Sequence, residues 1–515
     1  MDYSLLSRIR IRWINKSALS ALLLGCAAYS HAGKQDDTLV YASDNEVENI
    51  SPYHNVLREG VILAHLAWDT LVYRDPKTGE FLPELATDWK WESPTSLLIH
   101  LRKGVKFHNG DPFSADDVVY TFTTIAGPNS QTVMPQSVSW IKTSEKVDDF
   151  TVRLHLDKPF PAALDYLSGP MPIYPASYYQ KVKLAGYSQA PVGTGPYKIT
   201  QLMPGQGVWL AKNPDYFKES PVGQPRIGKI RFEAIRDPET RLAQLMTGQV
   251  DWIWRVPTDQ VSSLQSMPNL TVKSGETMRI GFIEMNPNIT DIAGKPFADL
   301  RVRQAVNYAI NREGMVNNMI RGGSQPAYAA CFHTQTACDT TKVTRYGYNP
   351  AKAKELLAQA GYADGFDTDI WAYRERDYAE AIIGDLRNVG IRARLHYVQY
   401  PVMKTAFASG QAPMAVMSWG SLSINDAGAF VGAFFNGKGD DVWQDRTVID
   451  QLNQAESTVD NAARKTLYAD ILGRISSQAY LVPMFSYSTN YAFNADLLFN
   501  DWPDELPRFV QSSWK

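Results

Sequence analysis

The chain has 515 residues, 44% of them hydrophobic and 20% charged, with 34 Gly, 30 Pro and 3 Cys. Ample apolar content and sparse cysteine exclude collagen-like, disulfide-scaffold and disordered classes, and the length suits about two to four domains. A formal net charge of -3 with no basic block argues against a nucleic-acid partner.

At the N-terminus, Arg8, Arg10, Arg12 and Lys16 precede a small and apolar run from Ser17 to Ala28, then Ser30-His31-Ala32. This is the order of a secretory leader over 1–32, and its apolar run of about twelve residues is too short to span a bilayer. Cleavage after Ala32 would release a free periplasmic protein. Leu23-Leu24-Gly25-Cys26 also resembles a lipobox, in which Cys26 would carry a lipid, although the small-residue cleavage site fits better. Removing the leader takes away four basic residues and one acidic one, leaving 47 Lys+Arg against 53 Asp+Glu, a net of -6.

Strand and helix signals then alternate. Leu39 to Ala42 reads as a first strand, and Leu97, Ile99 and Leu101, like Val152, Leu154 and Leu156, alternate with polar neighbours as half-buried strands do. Ser114 caps a helix whose first turn carries Asp116-Asp117, a pair read as solvated, as is Asp440-Asp441. Gly193-Thr194-Gly195-Pro196 reads as a tight turn entering a strand, since Pro196 removes a donor that a phosphate loop would need. Asp237-Pro238 opens a helix stopped by Gly248, and Asn349-Pro350 opens another that ends at Gly361. Cys331 and Cys338 form an even pair in an exported chain and read as one disulfide, while only His333 stands near enough to suggest a metal. The expectation is an α/β chain with several sheets, no bound metal and no cofactor.

Catalytic signatures are missing. There is no Gly-x-Ser-x-Gly elbow, no His-Glu-x-x-His and no phosphate loop, and no two of the eight His residues stand three or four apart. Trp419 is more informative, because it ends an apolar strand (Met414 to Met417) and opens the polar loop Gly420 to Asp426, the kind of junction where ligand sites of α/β sheets gather.

Two long motifs resemble the solute-binding protein family 5, the dipeptide- and oligopeptide-binding components of ATP-binding cassette importers. They are Leu85-Ala86-Thr87-Asp88-Trp89 and Leu101-Arg102-Lys103-Gly104-Val105-Lys106-Phe107-His108-Asn109-Gly110. Val192 to Tyr197, Asn213 to Phe217, Phe297 to Ala305 and Asn349 to Leu357 continue the resemblance in the family's order. It implies a type II-like periplasmic binding protein fold of the large class: lobe I over 33–275 plus 485–515, an extra subdomain at about 72–180, and lobe II over 276–484. Thr277 to Asn286 and Tyr480 to Tyr491 would be the two hinge strands. It also implies a monomeric binding protein, not an enzyme, that takes a peptide or peptide-like small-molecule ligand to a membrane permease, the alternative being a non-peptide solute such as an opine-like compound, an amino-acid conjugate or a sugar derivative. Haem- or nickel-chelate binding, which would draw on His54, His65 or His396, and a secreted hydrolase are the rival classes.

The site residues implied are Ser43, Asp44, Asn45 and Glu46 after the first strand, Tyr373, Arg374 and Arg376, Tyr400, and Trp419 with Ser421, Asn425 and Asp426. Arg374 or Arg376 would hold a carboxylate or phosphate, and Trp419 and Tyr400 would wall an apolar ligand part. Peptide-binding relatives usually place an Asp three residues after this Trp to meet the ligand's α-ammonium. Here that position is Leu422, so Asp426, Asp44 or Glu46 would have to substitute, or the ligand lacks that ammonium.

Overall fold

A computed structural model describes residues 33–515 apart from 48, 56, 128, 134, 290–294 and 440. The expected leader, with Cys26 and the Ala32 cleavage point, and Asp440 lie outside the described residues.

One sheet of ten strands runs through the molecule, in the order 391–397, 366–372, 414–419, 270–285, 481–494, 252–253, 38–43, 229–234, 207–212 and 197–203. Its two central strands, Leu270–Met285 and Leu481–Asn494, are 16 and 14 residues long and antiparallel. At roughly 3.3 Å per residue the longer one reaches about 50 Å, enough to serve two separate cores. They pair as two blocks, Leu270–Glu276 with Ser488–Asn494 and Ile280–Glu284 with Leu481–Ser486, and the register shifts between Glu276 and Ile280. A register shift bends and twists a ladder locally. Beyond it on one side lies Trp252–Ile253, on the other Met414–Trp419.

Separate hydrophobic clusters build the two halves. Leu39, Tyr41, Trp252 and Phe509 belong to one, while Ile283, Val302, Ile370 and Met484 belong to another. A four-stranded sheet, Ala86–Ser93, Ser96–Leu101, Thr151–Leu156 and Ile141–Asp148, extends the first half. Leu97, Ile99, Leu101, Val152, Leu154 and Leu156 are buried as their alternation predicts.

The helix starts follow from their caps. Asp237 accepts from Thr240 N at 2.8 Å and Asn349 from Lys352 N at 2.9 Å, and Gly248 and Gly361 end those segments at φ 74° and 90°. Ser114 forms a capping box with Asp117. Asp117 is buried, correcting its reading as solvated: its carboxylate accepts Ser114 N at 2.9 Å and Ala176 N at 2.8 Å. Asp441 is likewise buried, because it gathers Gly437 N, Trp443 N and Gln444 N in its own turn. Gly193 lies in an irregular segment that only bends at 195–196 into Tyr197–Met203, not in a hydrogen-bonded tight turn, and the reason for glycine is close approach: a Cβ on Gly193 would lie 2.0 Å from the Ala67 carbonyl oxygen. Cys331 and Cys338 are disulfide-bonded. Among the described residues no helix is long and apolar enough to cross a membrane.

Candidate ligand site

Both halves direct the carboxyl ends of parallel strands towards one region, where open α/β sheets place their ligands. In the first half these are Thr38–Ser43, parallel to 229–234 and 252–253; in the second, Phe366–Ala372, parallel to 391–397 and 414–419.

At the first end, Ser43 is buried and its hydroxyl accepts from Trp254 Nε1 at 2.8 Å and meets Glu59. Asn45 Nδ2 bridges Asp44 Oδ1 at 3.2 Å and Glu59 Oε1 at 3.3 Å. Arg255 Nη1 donates to Asp44 Oδ1 at 3.3 Å while its guanidinium lies 4.2 Å above the Trp254 ring. At the second end, Arg374 Nε donates to both Glu375 oxygens at 2.8 Å, Nη1 reaches Ser418 Oγ at 3.3 Å, and the guanidinium covers the Tyr487 ring at 5.1 Å. Tyr373 hydroxyl pairs with Ser418 Oγ at 3.1 Å and its ring lies 5.0 Å from that of Tyr400.

The centre is occupied by Glu505, whose side chain is 7% exposed. Arg58 Nη2 and Arg279 Nη2 both reach its Oε2 at 3.2 Å. Burial pushes the Glu505 carboxyl up, but Arg279, Arg58, Arg255 and Arg374 together outweigh burial and hold it at about 2. Arg58 also crosses to the second half, where Nη1 donates to Ser423 Oγ at 2.6 Å. A cavity of about 680 Å³ opens beside this cluster, bordered by Arg255, Arg374, Glu375, Tyr487, Asn490 and Glu505. That size suits a small organic solute.

The Trp419 loop has its own support. Trp419 Nε1 donates to the Ala429 carbonyl at 2.8 Å and its ring meets Phe434 edge-on at 5.7 Å. Ser421, Leu422 and Ser423 follow at φ 51°, 52° and 62°, three consecutive non-glycine residues in the left-handed region, and the buried Ser421 hydroxyl has no hydrogen-bond partner among the described residues. Such strain persists only where surroundings enforce it. Here Ser423 Oγ accepts from Arg58 Nη1 at 2.6 Å and donates to Asp504 O at 2.8 Å, while the disulfide-closed loop ties down the residues that follow: Gln335 Nε2 donates to Ile424 O at 2.9 Å, Thr336 N to Asn425 O at 2.9 Å, and Ala427 N to Thr336 O at 3.0 Å.

Of the residues expected from sequence, Ser43, Asp44, Asn45, Tyr373 and Arg374 surround this region, with Tyr400 reaching it through Tyr373 and Asn425 buried within the loop. Three stand elsewhere. Arg376 is 62% exposed and pairs with Glu380 at 2.8 Å, a solvated helix start. Glu46 accepts from Gly205 N and faces Arg236 at 3.9 Å. Asp426 takes Arg464 Nη1 and Nη2 at 2.6 and 2.7 Å, so it is not available as an ammonium anchor. Arg58, Arg255, Arg279 and Glu505 were not anticipated. Arg255 alone had a local signal, since it follows the short apolar strand Trp252–Ile253. Among the described residues no group of three or more His, Cys, Asp or Glu is arranged to hold a metal ion.

Comparison with known proteins places this geometry. The chain is 28% identical over 401 residues to the glutathione-binding protein GsiB of Pectobacterium atrosepticum, covering 74% of this chain and 75% of that protein. The crystal structure of the dipeptide-binding protein of Pseudoalteromonas sp. SM9913 in complex with Met-Leu superposes with a TM-score of 0.80 at 25% identity, over 93% of this chain and 100% of that one. The periplasmic binding protein AgaA of A. tumefaciens R10, in complex with agropinic acid, gives 0.78 at 25% identity, over 93% and 99%. These neighbours share the two-lobed periplasmic binding protein fold. Since the model of the bacterial extracellular solute-binding proteins, family 5 (middle region), matches residues 80–441, the chain belongs to that family.

Proposed function

We propose that this protein captures a small, carboxylate-bearing, peptide-like solute between its two halves and delivers it, outside the cytoplasmic membrane, to the permease of an ATP-binding cassette importer. The observation that carries this reading is the meeting of Arg374 from one half and Arg255 from the other at a cavity of about 680 Å³, Arg374 backed by Ser418, which also meets Tyr373, and Arg255 by Asp44. A planar guanidinium matches a carboxylate. Glutathione, Met-Leu and agropinic acid, named with the relatives above, are all small carboxylic acids.

In this reading 33–275 plus 485–515 form one lobe, with 72–180 as a subdomain, and 276–484 form the other. The lobes close about the register shift at Glu276 to Ile280, where the ladder is least regular. The protein acts as a monomer and performs no chemistry on its ligand. Mass spectrometry of solute released from gently purified protein identifies the ligand. Arg374→Gln then lowers its affinity at least tenfold by calorimetry, about 1.4 kcal/mol or more. Retention of full affinity by that variant, or the absence of any solute-dependent compaction in small-angle scattering, contradicts the reading.

A further inference from the structure

Glu505 is an unusual occupant for a ligand cleft. Four guanidinium groups, of Arg58, Arg255, Arg279 and Arg374, act on this one carboxylate. The other carboxylates nearby have partners of their own: Asp44 holds Asn45 and Arg255, Glu59 holds Ser43 and Asn45, and Glu375 holds Arg374 and Tyr487. Yet Glu505 fits poorly. Both arginine contacts fall on the same oxygen at 3.2 Å, longer than the roughly 2.7 to 2.9 Å of well-made charge-assisted bonds. Its backbone sits at φ 58°, a conformation L-residues adopt at a cost. Its side chain borders the cavity, and a Cβ on Gly420 would lie 3.1 Å from Arg279 Nη2 and 3.6 Å from Glu505 Oε2, so loop and cluster are in near contact with no side chain between them.

We infer that Arg58 and Arg279 form a second anion subsite, which the Glu505 carboxylate fills while the site lacks ligand and which a second carboxylate of the solute takes over by displacing that side chain. The ligand class is therefore a small dicarboxylate. This rests on the solute-binding reading above and deepens it. The group facing the Leu422 loop is cationic, so this subsite repels an ammonium and accepts an anion. Exchanging one carboxylate for another keeps the buried guanidinium groups paired throughout, which lowers the barrier to displacement.

The test is calorimetry of the full-length mature protein with N-succinyl and N-acetyl derivatives of glycine, leucine and phenylalanine, and with the corresponding free dipeptides. The N-succinyl series, with two carboxylates and no amine, should bind at least tenfold tighter than the N-acetyl series. Glu505→Gln removes the competitor and should strengthen N-succinyl binding at least fivefold, widening the N-succinyl over N-acetyl ratio; Glu505→Asp, which shortens the reach, should give an intermediate gain. Arg58→Gln should abolish the preference. Unchanged or weakened N-succinyl binding in a folded Glu505→Gln protein overturns the inference, as does preferential binding of free dipeptides lost in that variant, which makes Glu505 an ammonium anchor; both leave the solute-binding reading standing. If no compound binds and scattering shows no compaction, both readings fall.

Discussion

The Asp426 carboxylate lies seven residues from Trp419, yet both its oxygens are engaged by Arg464, the two side chains being 3% and 4% exposed. It also accepts Gly428 N at 2.8 Å, which ties the loop to the helix that follows. Removing one member of such a pair leaves the other buried and uncompensated, so Asp426→Asn should cost about 3–5 kcal/mol in urea denaturation. Solute affinity should stay within a few-fold in the folded variant. Loss of affinity at unchanged stability would instead make Asp426 a ligand contact. Sequence position alone does not reveal this ion pair, because Arg464 stands 38 residues away and nothing local announces it. The same holds for Arg58 and Glu505, 447 residues apart. By contrast Ser43 is legible from the first strand, which it ends, and Arg374 from the family resemblance, which places a site residue just after the strand Phe366–Ala372.

At the scale of elements, strands with one buried face and helices with side-chain caps were readable, because period and capping chemistry are local properties. The two long central strands were readable only in part. Ile280 to Met285 is buried throughout and apolar but for Glu284, whereas Thr271, Lys273 and Ser274 in the same strand carry no such pattern, since that half serves a different neighbour. The disulfide-closed loop bonds 424 to 427, the residues directly after the left-handed turn at 421 to 423. Replacing both cysteines with serine should lower stability by about 2.5 kcal/mol on the loop-entropy account. It should also weaken solute binding by freeing the residues after that turn, a joint loss that calorimetry and urea titration read separately. Gly195→Ala makes an independent element-level case. Its Cβ would lie 2.5 Å from the Ala67 carbonyl carbon and 2.6 Å from Trp68 N, backbone atoms that cannot rotate away. Such overpacking costs about 1–3 kcal/mol, and a thermal midpoint equal to wild type would refute the close-approach explanation.

For the whole molecule, the contact between the halves carries its own titration. Beyond the Arg58 to Ser423 bond, Lys158 in the first half meets Glu456 in the second at 3.5 Å, and Asp165, 9% exposed and 3.8 Å from Arg74, faces Asp426 and Arg464 across the gap. Burial, then the Asp426 carboxylate, push Asp165 up to about 7 against the opposing pull of Arg74 and Arg464. An unfolded aspartate titrates near 3.9, so between about pH 4 and 7 the folded protein holds the extra proton. Asp165 therefore favours folding most below pH 4, and its contribution declines as pH rises to 7. Buried His65 and His108 act in the opposite direction: each is held near 4 by burial against an unfolded value near 6.5, so their contribution is lost as pH falls through that window. Asp165→Asn removes only the first of these effects. It should raise the urea midpoint at pH 8 by the equivalent of about 1–3 kcal/mol and change it little at pH 4. Since separating the halves would hydrate Asp165 and restore an ordinary carboxylate, raising the pH of the wild-type protein from 5 to 8 also favours opening. Small-angle scattering should then show a pH-dependent expansion in wild type that Asp165→Asn suppresses; an identical expansion in both would place the titrating group elsewhere.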